Sequence, residues 1–296
     1  MKTNKLFLIA ALLGTALAGC QKVSEVENPE DKPENMQAWT LKVLATKSVD
    51  TRALDNTGNN TMRPYWRKGE QVDVYLGGDK LGTLTVTSAD NVDPATLVGT
   101  VSAENLAAGD DLMLLFPGRE DGAWTYLGQD GTLPEAFDYA TATLKVESLD
   151  ADGHTITVTT DAVTFKNEQS IYRFSFKVGG AGDAISVKSF IVASDGQQLV
   201  RSRGYDNGGW SPVVGNLFVS NVTGAAAPYL TAIRNENTGA DRFTFSVVGN
   251  GNELYLGEKN LSKGVVNGKF YNATVSVSQK AFTPGTGSIS DEDEVL

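Results

Sequence analysis

In the stretch Trp39-Thr40-Leu41-Lys42-Val43-Leu44-Ala45, the apolar residues Trp39, Leu41, Val43 and Ala45 recur at every second position. A period of two belongs to a pleated strand with one buried and one wet face, whereas a helix repeats every 3.6 residues. The same alternation returns along the chain, in Gln71–Leu76, Leu81–Val86, Ala142–Val146, Thr155–Thr159, Tyr172–Val178, Ser186–Ala193, Arg242–Val247 and Phe270–Val277. Asp111–Phe116 is a more continuous apolar run. Val, Ile, Thr and aromatic residues dominate these segments, as a half-buried pleated surface favours. Gly77-Gly78, Asn207-Gly208-Gly209, Asn250-Gly251 and Asn267-Gly268 punctuate them. Such residues tolerate the positive φ that tight hairpin turns need. No stretch sustains a helical period, so the chain is read as all-β, built of sandwiches whose inward residues form the core.

About 240 residues of this kind exceed one ordinary domain. Two tandem sandwiches are therefore expected, residues 38–167 and 168–280, with the break where Lys166-Asn167-Glu168-Gln169 separates one strand pattern from the next. Residues 281–296, with Pro284 and the acidic run Asp291 to Glu294, read as a disordered acidic tail.

The N-terminus carries a different message. Lys2 and Lys5 precede thirteen apolar or small residues, Leu6 to Ala18. That run is too short for a permanent membrane span and suits the apolar region of a signal peptide. It ends in Leu17-Ala18-Gly19-Cys20, small residues followed by a thiol. Residues 1–19 are thus expected to be removed and Cys20 to be fatty-acylated. Cys20 is the only cysteine among 296 residues, so no disulfide forms within one chain. Residues 20–37 are polar, acidic and Pro-containing, and read as a tether from the lipid to the body. Gln21 follows the cysteine, where an aspartate would favour the inner membrane, so the outer membrane is the expected location.

Charge and residue inventory exclude several classes. With 36 Asp+Glu against 25 Lys+Arg, the chain lacks the basic face that nucleic acid demands. His154 is the single histidine and lies beside Asp152-Gly153, as a turn residue would. A Ser–His–Asp or Cys–His catalytic group would depend on it alone. No nucleophile elbow, metal-spaced His/Cys set or phosphate-cradling glycine loop is present. Asp90-Asn91-Val92-Asp93 lacks a full calcium ligand series. The chain is read as a non-enzyme without metal or cofactor.

Several segments, in order, resemble the fimbrillin-like lipoproteins (type V pilins) of the Bacteroidales. Val43-Leu44-Ala45-Thr46-Lys47-Ser48-Val49-Asp50-Thr51-Arg52-Ala53-Leu54 is similar to the start of such proteins. Tyr65-Trp66-Arg67-Lys68-Gly69-Glu70-Gln71-Val72-Asp73-Val74-Tyr75 is similar to their tryptophan, glycine-acid, apolar-x-Val-Tyr strand. Phe116-Pro117, Tyr126–Gly131, Asp138–Ala142, Val163–Asn167 leading into Tyr172-Arg173-Phe174, and Gly268–Val275 follow the family's later features. The likeness spans most of residues 40–278.

The resemblance implies two tandem transthyretin-like β-sandwiches and a role as stalk, anchor or tip subunit of an adhesive pilus. It also implies an assembly route. A protease cuts after an arginine, the lipidated segment and first strand are removed, and a strand from another subunit fills the vacated groove. The physics is β-augmentation, in which main-chain bonds give strength and alternate side chains give specificity. Carried onto this sequence, the cut falls between Arg52 and Ala53, ahead of the polar stretch Asp55 to Asn60, and the displaced strand presents Trp39, Leu41, Val43 and Ala45. Partners are then other pilus subunits, the outer membrane through the lipid, and ligands on host or bacterial surfaces. One departure stands out: Ser278 to Leu296 holds no alternating apolar run that would serve as a donor strand. The competing reading is a surface glycan-binding lipoprotein of a nutrient-uptake system. Trp124, Tyr126, Tyr205 and Trp210, in Gly-rich surroundings, would then stack on sugar rings.

Overall fold

The computed structural model describes residues 36–47, 55–56, 62–63, 65–119, 122–132, 137–159, 162–221, 224, 226–237 and 239–281. From Gln37 onward they belong to one compact unit. Among them are twenty strands and no α-helix, so the chain is all-β as the alternation predicts.

The first eleven strands are β1 (Gln37–Lys47), β2 (Asp55–Asn56), β3 (Met62–Arg63), β4 (Gln71–Leu76), β5 (Asp79–Val86), β6 (Ala95–Ala103), β7 (Asp111–Phe116), β8 (Ala123–Thr125), β9 (Ala140–Asp150), β10 (Thr155–Val158) and β11 (Ala162–Asn167). The other nine are β12 (Ser170–Val178), β13 (Val187–Ser194), β14 (Val200–Asp206), β15 (Gly209–Val214), β16 (Leu217–Ser220), β17 (Tyr229–Ile233), β18 (Asp241–Gly249), β19 (Leu254–Leu261) and β20 (Phe270–Lys280).

The first sheet closes on itself. Its order is β10-β1-β11-β9-β7-β4-β5-β6, and β1 also pairs with β6 while β10 also pairs with β9. Both β10 and β11 run parallel to β1 and antiparallel to β9, so they act as two halves of one broken stave. A ring of this kind leaves no bare edge. Its alternate residues point inward and bury Val72, Val74, Leu84, Leu97, Val101, Leu112, Leu114 and Leu144. Trp66 fills the centre, edge-on to Phe116 and Phe165 at 5.2 Å from each. Gly99 occupies an inward position of β6, because a Cβ there would meet the Thr83 carbonyl and lie 2.9 Å from the Leu84 Cα.

The second sheet has the order β16-β13-β18-β19-β20-β12-β17. Its core is aromatic: Phe174, Phe176, Phe190, Tyr229, Phe243 and Phe245 meet in stacked, tilted and edge-on pairs. Its edge strands β16 and β17 are joined by chain from the first half of the sequence. Gln129 bridges to Val219 and Thr132 to Leu230, both in parallel. The Gln129 amide reinforces this join by accepting from the Ala232 N–H at 2.6 Å and donating to the Ala232 carbonyl at 2.9 Å. A small sheet, β15-β14-β8, adds a second tie between the halves. The second core accordingly contains Tyr75, Leu115, Trp124, Tyr126, Phe137 and Tyr139 as well as residues beyond Ser170.

Candidate strand-exchange groove

β1 is the stave on which the first ring closes. On one side it pairs antiparallel with β6 through nine consecutive positions, from Gln37 opposite Ala103 to Ala45 opposite Ala95. On the other it runs parallel to β10 at Thr40 and Leu41, then parallel to β11 from Leu44 to Lys47. Its eleven residues span about 36 Å of strand.

The four residues expected on the inward face are there. Relative exposure is 5% at Trp39, 0% at Leu41, 4% at Val43 and 0% at Ala45, while Thr40, Lys42 and Leu44 face outward. Burying these four side chains contributes roughly 5–8 kcal/mol of transfer free energy. Without β1, the core would open along a slot lined by β6 on one wall and β10 with β11 on the other. His154 packs at the start of the strand. Its carbonyl accepts from the Thr40 N–H at 2.7 Å, and its ring lies 6.0 Å from that of Trp39. The lone histidine is thus a turn residue, with φ of 48°, that seats the strand.

One further inward residue was not anticipated. Lys47 continues the parity of 39, 41, 43 and 45, and it is buried with 3% exposure. Its ammonium lies 3.1 Å from Asp138 Oδ2 and 3.7 Å from Glu70 Oε2. The rings of Phe116 and Trp66 flank it at 4.1 and 4.6 Å. Its backbone N–H donates to Asp93 Oδ1 at 2.9 Å. Burial pushes the Glu70 carboxyl up, Lys47 pulls it back, and the Arg67 N–H, donating at 2.9 Å, pulls with it. Burial likewise raises Asp93, against the bond from the Lys47 backbone. Among the influences that hold the Glu70 carboxyl down, Lys47 is thus the largest. The signal for Lys47 was present in the period of two; the charge of the side chain masked it, since lysines are almost never fully buried unless paired.

Cys20, Arg52 and Ala53 lie outside the described residues. Arg52 is five positions past Lys47, at most about 18 Å of extended chain from the end of β1.

Two of the four aromatics read as a sugar platform are buried. Trp124 and Tyr126 are 1% and 0% exposed. Trp124 stacks on Tyr139 at 4.8 Å and meets Trp210 at 4.7 Å. Arg203 fits against Trp210 at 3.8 Å and Trp124 at 4.9 Å. Tyr205 lies edge-on to Trp210 and Tyr75. The four aromatics do come together, but they pack into the second core and its border, because β8 pairs with β14 and draws them inward.

No family model matches this chain, and no curated protein is similar to it. Weak similarity to solved structures is found. A structure described as a candidate cell adhesion protein from Bacteroides uniformis ATCC 8492 is 16% identical, with a TM-score of 0.46, over 81% of this chain and 96% of that one. A second candidate cell adhesion protein, from Bacteroides ovatus ATCC 8483, is 12% identical with a TM-score of 0.40, over 81% and 95%. The shaft pilin of Lactobacillus rhamnosus GG is 9% identical with a TM-score of 0.32, over 83% and 100%. Superposition at this level argues no shared function.

Proposed function

We propose that this chain is a lipid-anchored, surface-displayed subunit of an adhesive fibre, one that accepts a strand from another subunit in place of β1 after cleavage behind Arg52. The observation that carries the reading is the position of β1. It is the N-terminal strand of the ring, it fills a slot between β6 and β10/β11, and it ends just before Arg52. A single cut there would leave β1 bound only by non-covalent contacts, open to slow exchange, since many backbone bonds must break together. Cys20 would hold the uncut precursor at the outer membrane, a second tie being needed for stable anchoring.

Limited trypsin digestion tests this reading. The first cut is expected behind Arg52, ahead of Arg63, Arg119 and Arg173, giving a new N-terminus at Ala53. The cut protein is expected to form oligomers or to take up an added donor strand, and Arg52→Ala to do neither. Resistance of Arg52 in the native protein, or a cut product that stays monomeric and binds no strand, rejects the mechanism.

A further inference from the structure

We infer that the β1 slot selects its occupant by charge: it accepts a strand from a different subunit that carries a lysine two residues beyond a small apolar residue, and Asp138 and Glu70 read that lysine. The inference rests on the strand-exchange reading and names the chemistry of the partner.

The slot has five inward subsites, now filled by Trp39, Leu41, Val43, Ala45 and Lys47. Four of them are apolar and tolerate any hydrophobic side chain of suitable volume. The fifth does not. Asp138 is itself 6% exposed and is ion-paired to Lys47 at 3.1 Å. An occupant with an apolar residue there would leave Asp138 desolvated beside a half-buried Glu70, an arrangement far less favourable than an open surface pair. The cage also sets register. A slip by one residue turns every inward side chain outward. A slip by two would bring the lysine to the subsite of Ala45, which faces Ala95 on one side and Val163 on the other and offers no acid.

Direction is set as well. The occupant must run parallel to β10 and β11 and antiparallel to β6, as β1 does. The matching pattern is therefore a large aromatic, then two branched aliphatic residues, a small residue and a lysine, each separated by one outward position. Residues 281–296 of this chain contain no lysine or arginine and include Asp291, Glu292, Asp293 and Glu294. A second copy offering that segment would bring acid to an acidic cage. That segment does not match the pattern, and β1 itself, with Lys47, is the resident that a donor must match.

The test uses the full chain, cut with an arginine-specific protease so that lysines stay intact. Two fluorescent peptides are offered to it: residues 37–47 as they stand, and the same peptide with Lys47→Met. The protein is unaltered in both arms, so its folding does not enter the comparison. Capture of the lysine peptide about 100-fold more tightly is expected, as removal of one member of a buried ion pair predicts. With Asp138→Asn in the protein, that preference should fall to a few-fold. Equal capture of the two peptides by the unaltered protein overturns the charge selection and leaves strand exchange standing. Capture of neither overturns strand exchange, and the selection with it.

Discussion

Glu168, in the short link between β11 and β12, places its carboxylate 2.8 Å from the guanidinium of Arg203 on β14. Arg234 approaches the same oxygen at 2.6 Å, and the Thr141 hydroxyl donates to the other oxygen, also at 2.6 Å. One carboxylate thus ties β9, the link, β14 and the segment after β17. The Arg203 side chain is fully buried, so its charge depends on that partner.

Glu168→Gln is expected to destabilise the protein by roughly 3 kcal/mol at pH 7, because it leaves Arg203 buried without its counter-charge. Burial alone would raise the Glu168 carboxyl, but Arg203, Thr141 and Arg234 outweigh it and hold the group below 4.5. A carboxylate held low contributes stability that is present above its unfolded value and lost as pH falls through its folded one. The deficit of the variant should therefore shrink in urea unfolding below about pH 4.5. A deficit unchanged from pH 7 to pH 3 would contradict this account.

The inward parity of β1 is tested by two neighbours. Val43→Asp puts a carboxylate into the ring core and is expected to remove more than about 4 kcal/mol or abolish folding. Leu44, one position on, is 37% exposed. Leu44→Asp is expected to change stability by less than about 1 kcal/mol. Circular dichroism during denaturation reads both, and similar losses would mean that β1 is seated in another register.

Lys47→Met in the intact chain is expected to lower stability by about 3 kcal/mol at neutral pH, Asp138 being left buried without its Lys47 partner. Glu70 is already raised by burial, and Lys47 is the larger of the influences that hold it down. Without Lys47 it rises further. A carboxyl raised in the folded state favours folding below its unfolded value and loses that contribution as pH rises through the folded one. The gap between variant and parent should thus widen as pH rises above about 4.5. Adding Asp138→Asn should restore part of the loss; no recovery would show that Lys47 acts through packing against Phe116 and Trp66.

Trp210→Ala separates packing from sugar binding. Trp210 contacts Arg203 at 3.8 Å and Trp124 at 4.7 Å. Its removal is expected to cost about 2 kcal/mol, less than a fully buried tryptophan because it is only partly buried. A carbohydrate array is expected to be silent for parent and variant alike. Saturable glycan binding that the substitution abolishes would restore the nutrient-uptake reading.

Much of the strand inventory was legible because alternation is a local signal. Trp39 to Ala45, Gln71 to Leu76 and Phe270 to Val277 each announce a strand without reference to the rest of the chain. Strands β6, β14, β15, β16, β17 and β19 gave no such signal. β6 holds Gly99 and three alanine or serine positions, β15 holds Pro212, and β19 carries polar residues on a half-wet face. Their pairing comes from neighbours, and propensity in a sheet is set largely by what lies across and beside it.

By itself, the sequence determined that this chain is all-β and that Trp39, Leu41, Val43 and Ala45 share one face, since a side-chain period of two follows from backbone geometry. It could not say what that face meets. The closure of β1 onto β6, the joining of β16 to β17 through Gln129 and Thr132, and the burial of Trp124 and Tyr126 were decided by contacts between residues far apart in the chain. The cage around Lys47 belongs with them. Asp138 lies 91 positions away. A lysine becomes a buried anchor only when folding delivers an acid to it, and no local pattern records that meeting.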